Sequence, residues 1–183
     1  MKACLILLLG AGTALAAEPL RSGPPVGEEL PCSFEPLSIN GPNAGEKTCI
    51  LCEYGSDPVA MVFARQLTPT LERLIARLEG AADKHAGLGS TVVFLSDDPK
   101  LVEQLRQLAR KQGLKHTVLR ILKPDGPPGY NLAREADVTA LLFLDRVVKA
   151  SHVFRKGQME DRDVAGILAD LPKVIPVGNE GND

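Results

Sequence analysis

The sequence predicts an α/β domain built on a mixed sheet of about five strands, with helices on both faces. Two patterns carry this prediction. Between residues 57 and 122, compact apolar runs alternate with apolar residues at helical spacing, which is typical of parallel strands joined by helices. Two further apolar runs are separated only by Asp145-Arg146, and strands joined by two residues must be antiparallel.

The elements follow one another as βαβαβ, a short helix, a hairpin and a final helix. Thr68-Pro69 and Asp98-Pro99 each supply a capping side chain and a proline suited to a first helical turn, so a helix is predicted to begin at each pair. The predicted strands are 57–64, 90–95, 116–122, 138–144 and 147–154. The short helix is predicted over 131–135, and the last helix ends before Pro172.

The first residues have the pattern of a secretory signal. One positive charge at Lys2 is followed by an apolar stretch and by Ala14-Leu15-Ala16, which is typical of cleavage after Ala16. The apolar stretch is far shorter than the ~20 residues of a membrane-spanning helix, so we expect a secreted or periplasmic protein with no retained span. The predicted organisation is a signal peptide at 1–16, an irregular Pro- and Gly-rich extension at 17–56, the folded domain at 57–175 and a flexible tail at 176–183.

Composition argues against several classes of partner. The formal net charge is −2 and no basic run is present, which argues against nucleic acid or an anionic membrane surface. The run from Gly41 to Thr48 has the Gly-to-Lys spacing of a phosphate-binding loop, but Glu46 replaces the second glycine. We therefore predict no cofactor, and no residue is assigned as a metal ligand.

Three segments resemble those of the thioredoxin-like redoxins, the group that includes the peroxiredoxins: PVAMVFARQLTPTL, TVVFLSDDPKLVEQL and DVTALLFLDRVVKASHVFRKG. The resemblance covers roughly 57–173 and implies a thioredoxin-like fold. It also implies a reactive cysteine near the helix start at Thr68, where helix N–H groups stabilise a thiolate. Leu71 stands where peroxiredoxins have their peroxidatic cysteine, so that family's peroxidase activity is not expected. Thr139 stands where thioredoxins have a cis-proline.

Cys49-Ile50-Leu51-Cys52 is a C-x-x-C pair, whose spacing suits a redox disulfide, half of a zinc site or a small structural loop. Export would place the pair and Cys32 where disulfides persist, so Cys32 is a possible disulfide partner. The pair precedes the first core strand. We therefore expect it outside the sheet and away from Thr68, without the helix N-terminus that normally activates such a pair.

Three functions remain open from the sequence. The first is thiol–disulfide exchange with protein thiols or disulfides through Cys49 and Cys52 at a relocated site, with the nucleophile of the two left open. The second is a redox-silent thioredoxin-fold module that binds a protein partner and contains a structural disulfide. The third is a thiolate metal carrier, in which the three mature cysteines would need one histidine to complete a zinc site.

Overall fold

The computed structural model describes residues 19–175 as a six-stranded mixed sheet with helices on both faces. The predicted signal peptide at 1–16 and tail at 176–183 lie outside the described residues. The strands are β1 (Leu37–Ser38), β2 (Val59–Ala64), β3 (Gly89–Leu95), β4 (Thr117–Leu122), β5 (Ala136–Leu144) and β6 (Val147–Arg155). The helices are α1 (Ile50–Tyr54), α2 (Pro69–Lys84), α3 (Pro99–Gln112) and α4 (Asp161–Ala169), and a 3-10 helix follows at Leu171–Lys173.

The strands lie side by side in the order β1-β4-β3-β2-β5-β6. β2, β3 and β4 run parallel, and β5 is antiparallel to both β2 and β6. These pairings confirm the predicted parallel strands and the predicted hairpin. β1 adds a sixth strand at one edge, antiparallel to β4, and its two residues are too few to show any apolar period in the sequence.

The β5–β6 turn is formed by Asp145 and Arg146, which both have left-handed backbones, with φ of 51° and 64°. Two-residue hairpins favour this conformation at both central positions because it matches the twist of the strands. The Arg146 carbonyl accepts the Leu30 N–H at 2.8 Å, so the turn also holds the amino-terminal segment.

The three long helices pack on one face of the sheet. Thr68 Oγ1 accepts the Leu71 N–H at 3.2 Å to cap α2, and the Asp98 carboxylate accepts the Lys100 N–H at 2.9 Å to cap α3, as the sequence predicts. The crossovers from β2 to β3 and from β3 to β4 step in the same direction, so right-handed connections place α2 and α3 on the same side. Among residues 19–175, no helix has both the length and the apolar content needed to cross a membrane.

The opposite face is covered by α1 and by irregular segments. The Phe34 ring lies 5.8 Å from that of Phe63 on β2 and 5.2 Å from that of Tyr130, between centroids. Ile50 and Leu51 of α1 are buried in the same cluster. The described part of the predicted irregular extension is therefore a packed cover that contains β1 and α1.

The short helix predicted over 131–135 is wrong, because that stretch forms no helix. Asn131 has a left-handed φ of 52°, and the Ala133 N–H donates to Ser22 Oγ at 3.1 Å instead of to a helical carbonyl. Tyr130, which is fully buried, anchors this loop, and its hydroxyl donates to the Cys32 carbonyl at 3.2 Å.

Candidate functional site

Cys49 and Cys52 form a disulfide at the first turn of α1, with their Cα atoms 5.2 Å apart. Cys49 is the residue that caps the helix, because its backbone is extended and its Sγ accepts the Cys52 N–H at 3.0 Å. The helix ends at Gly55, where a left-handed φ of 56° turns the chain toward β2. The sequence predicts a pair without a helix N-terminus, whereas the structure provides the pair with a short helix of its own.

Two hydrogen bonds converge on the Cys49 sulfur. Besides the Cys52 N–H, the Ser33 hydroxyl lies 2.9 Å from Cys49 Sγ, and it is the donor because a disulfide sulfur carries no proton. Cys49 is half-buried, whereas Cys52 is exposed. The two sulfurs therefore differ: Cys52 is the accessible one, and a thiolate at Cys49 would receive two hydrogen bonds.

The pair lies over the sheet face that α1 covers. The Ile50 N–H donates to the Phe34 carbonyl at 3.3 Å, and Phe34 packs on Phe63 near the carboxyl end of β2. At the other end of α1, the Tyr54 hydroxyl contacts the Ser90 carbonyl near the start of β3, at 3.4 Å. α1 thus runs back over the sheet, and the disulfide lies above the face and not beyond the amino ends of the strands.

A buried guanidinium lies beneath the C-x-x-C segment. Arg120 on β4 is 1% exposed, and its Nη2 donates to both carboxylate oxygens of Glu53 at 2.7 Å. Its Nη1 donates to Ser38 Oγ at 2.8 Å and also contacts Thr48 Oγ1, and its Nε donates to Thr91 Oγ1 at 3.1 Å. The arginine therefore has a partner for each of its three nitrogens, and two of its partners directly flank the cysteine pair.

Cys32 is an exposed free thiol among the described cysteines. Its Sγ donates to the Pro128 carbonyl at 3.2 Å, while the next residue, Ser33, contacts Cys49. Of the three described cysteines, the structure joins Cys49 to Cys52 and leaves Cys32 outside the bond.

The position at which the redoxin resemblance implies a reactive cysteine is occupied in this chain by an unreactive side chain, Leu71. Leu71 is fully buried in the core beneath α2, and its N–H is used by the Thr68 cap. Thr139 pairs with Phe63 on β2, and its hydroxyl bonds Ser22 Oγ at 2.7 Å. No cis peptide bond occurs among residues 19–175.

The ligand set of the metal-carrier hypothesis is not assembled in the described part of the chain. Cys49 and Cys52 are bonded to each other, and within residues 19–175 no group of three or more His, Cys, Asp or Glu side chains is placed to hold a metal ion.

Solved structures resemble this one, although no protein-family model and no curated protein matches the sequence. A putative protein disulfide isomerase from Bacteroides thetaiotaomicron superposes with a TM-score of 0.62 at 12% identity, covering 85% of this chain and 94% of that one. A peroxidoxin, BcpB, from Mycobacterium tuberculosis has a TM-score of 0.53 at 17% identity, with coverages of 83% and 96%. The chain has a thioredoxin-like fold.

A third neighbour is a secreted Mycobacterium tuberculosis disulfide oxidoreductase homologous to E. coli DsbE, with a TM-score of 0.50 at 12% identity. It covers 74% of this chain and is itself covered to 94%. At such low identities the likeness establishes a thioredoxin-like fold alone, and the activity must be argued from the site.

Sequence reasoning missed four residues around the pair: Ser33, Thr48, Glu53 and Arg120. Arg120 had a usable signal, because a charged residue inside the apolar run HTVLRIL has to find a partner when the strand is buried. Ser33 and Thr48 had none, since the contacts of an isolated hydroxyl depend on tertiary packing.

Proposed function

We propose that this protein is an exported thiol–disulfide exchange protein that uses the Cys49–Cys52 pair to oxidise dithiols of partner proteins. The observation that carries the proposal is the asymmetry of the pair, in which Cys52 is exposed and Cys49 accepts two hydrogen bonds. The thioredoxin-like fold, shared with proteins described as disulfide oxidoreductases, supports the same reaction class.

The exchange proceeds in two steps. A thiolate of the partner attacks the accessible Cys52 sulfur, which forms a mixed disulfide and breaks the Cys49–Cys52 bond. Cys49 leaves as a thiolate, stabilised by the Ser33 hydroxyl and the Cys52 N–H. The second partner thiolate then attacks the partner sulfur of the mixed disulfide and releases Cys52. The partner loses two electrons and two protons to become a disulfide, and the pair is reduced to two thiols.

Export is part of the proposal. It is supported by the signal pattern at 1–16 and by the secreted character of one structural neighbour. The Cys49–Cys52 disulfide supports it as well, because such bonds persist mainly outside the cytosol. Mass spectrometry of the protein from a secreting host should give a mature chain that begins at Ala17, and an intact chain in the cytosol would contradict this part.

The test is oxidation of a reduced dithiol peptide in the presence of the oxidised protein. We expect Cys49→Ser and Cys52→Ser to abolish turnover, while Cys32→Ser, the matched control, keeps it. Mixed instead with the disulfide form of the peptide, Cys49→Ser should retain the peptide on Cys52: the Cys52 thiolate attacks the peptide disulfide and releases one peptide thiol, and no Cys49 thiol is left to resolve the mixed disulfide, which non-reducing mass spectrometry detects.

A redox-silent binding module with a structural disulfide is the second candidate. It is favoured by the absence of chemistry at the usual redoxin position, where Leu71 and Thr139 are engaged in packing and hydrogen bonding. The reduction potential separates the two candidates. A value in the catalytic range supports exchange, and one below about −300 mV supports a structural bond.

A further inference from the structure

The Arg120 guanidinium connects the sheet to both flanks of the cysteine pair. Thr48, which immediately precedes Cys49, and Glu53, which immediately follows Cys52, both accept hydrogen bonds from it. On the sheet side, Ser38 of β1 and Thr91 of β3 hold the same group.

Stability alone is a poor account of this arrangement. Arg120 is 1% exposed and the Glu53 side chain 26% exposed, so both charges lose most of their hydration. The hydration free energy that the two charges lose on burial is about as large as their electrostatic attraction, and apolar residues of similar volume often stabilise a protein more. An apolar side chain cannot donate hydrogen bonds to both Thr48 and Glu53, which lie on either side of the four-residue C-x-x-C segment.

We propose that Arg120 is a positioning residue for the Cys49–Cys52 pair, which holds both flanks of the C-x-x-C segment in register and so sets the thiol–disulfide equilibrium. When the flanks stay fixed after reduction, the two thiols remain close at high effective concentration, which favours the disulfide. When the flanks are released, the reduced segment gains freedom and the dithiol is favoured. The inference rests on the proposed exchange function for its biological meaning, but the equilibrium exists whether or not the pair turns over.

The experiment measures the equilibrium constant between the pair and dithiothreitol buffers, in which the protein dithiol and oxidised dithiothreitol exchange for the protein disulfide and the reduced reagent. For Arg120→Lys, which keeps the charge but loses the forked donors, we expect the constant for disulfide formation to fall about tenfold, a shift of about 30 mV. Thr48→Val removes one flank contact without a change of charge, and Glu53→Gln removes the ionic contact at the other flank. Both should shift the constant in the same direction by a smaller factor.

The matched control is Asn40→Ala. The Asn40 amide donates to the Thr117 carbonyl at 2.9 Å and accepts the Leu119 N–H at 2.7 Å, so its loss weakens the same strand without touching either flank. We expect Asn40→Ala to lower the unfolding temperature and to leave the equilibrium constant within about twofold of the wild type.

Two results would overturn the inference. One is an unchanged constant in the folded Thr48→Val and Glu53→Gln proteins, which decide the matter even if Arg120→Lys does not fold. The other is an equal shift in Asn40→Ala, which would make the effect a general loss of stability. A failure of the proposed function would be seen separately, because the wild-type protein would then not oxidise the dithiol peptide.

Discussion

Reduction of the Cys49–Cys52 disulfide should lower the free energy of unfolding by only about 2 kcal/mol. The bond joins residues three apart in sequence, so it closes a loop of four residues. In the chain-entropy model such a short loop removes about 6 cal/mol/K from the unfolded chain, which is about 2 kcal/mol at 25 °C. A protein that exchanges this disulfide must remain folded in both redox states, and a small contribution satisfies that requirement.

Urea unfolding gives the free energies, and thermal unfolding the midpoints, of the oxidised protein, the reduced protein and Cys52→Ser. Both are followed by far-ultraviolet circular dichroism because the chain contains no tryptophan. We expect the reduced protein and Cys52→Ser to agree, with thermal midpoints about 4–8 °C below that of the oxidised protein. Cys49→Ser should match them because serine can still cap α1, whereas Cys49→Ala should lose up to about 1 kcal/mol more.

A loss of more than about 4 kcal/mol in the free energy of unfolding on reduction would contradict this prediction, since chain entropy in so short a loop does not supply that amount. A reduced protein that is unfolded at 25 °C would have the same meaning. In either case the bond is structural, and the redox-silent module becomes the better account of this chain.

Two further predictions concern the scaffold. Leu71→Ala should lower the free energy of unfolding by about 3 kcal/mol in urea, because this fully buried side chain fills the core under α2, and a loss below about 1 kcal/mol would place it outside the core. Glu79 accepts N–H bonds from Lys115, His116 and Thr117; burial raises the pKa of its carboxyl, but these bonds outweigh burial and hold the pKa below its ordinary value of 4.5. The ionised Glu79 carboxylate therefore contributes its full stabilisation of the fold above pH 4.5, and this contribution is lost as the pH falls through the lowered pKa. Glu79→Gln should accordingly be about 1 kcal/mol less stable than the wild type at pH 7 and equal to it in strong acid. A difference that is independent of pH would refute the second prediction.

The sheet and its long helices could be predicted because their signals are local. Thr68 and Asp98 cap helices where the sequence places them, and the two-residue turn at Asp145-Arg146 makes an antiparallel pair. The helix predicted over 131–135 is wrong because the conformation of this stretch is not set by its local sequence. In the structure the loop is fixed by the burial of Tyr130, a contact with residues about a hundred positions away.

The surroundings of the cysteine pair could not be predicted for the same reason. Cys49 and Cys52 were identifiable from their spacing, but the groups that determine their chemistry come from distant parts of the chain. Ser33 lies 16 residues before Cys49, and Arg120 lies 67 residues after Glu53. No strand precedes this segment to fix its direction. The sequence therefore does not predict that the chain turns at Gly55 so that α1 lies over the sheet.

The placement of Arg120 also bears on how a thioredoxin-like fold can contain a pair away from its usual position. A cysteine at the start of α2 would be oriented by a 16-residue helix packed on the core, whereas α1 has five residues and is too short to be stable by itself. Its orientation must come from tertiary contacts, which include the burial of Ile50 and Leu51 and the ion pair of Glu53 with Arg120. Apolar contacts allow a short helix to slide or rotate at little cost, but hydrogen bonds to a fixed guanidinium do not. In the positioning role proposed for Arg120, its hydrogen bonds to Thr48 and Glu53 therefore add to the apolar contacts of α1 the directional restraint that a 16-residue helix would give a pair at the start of α2.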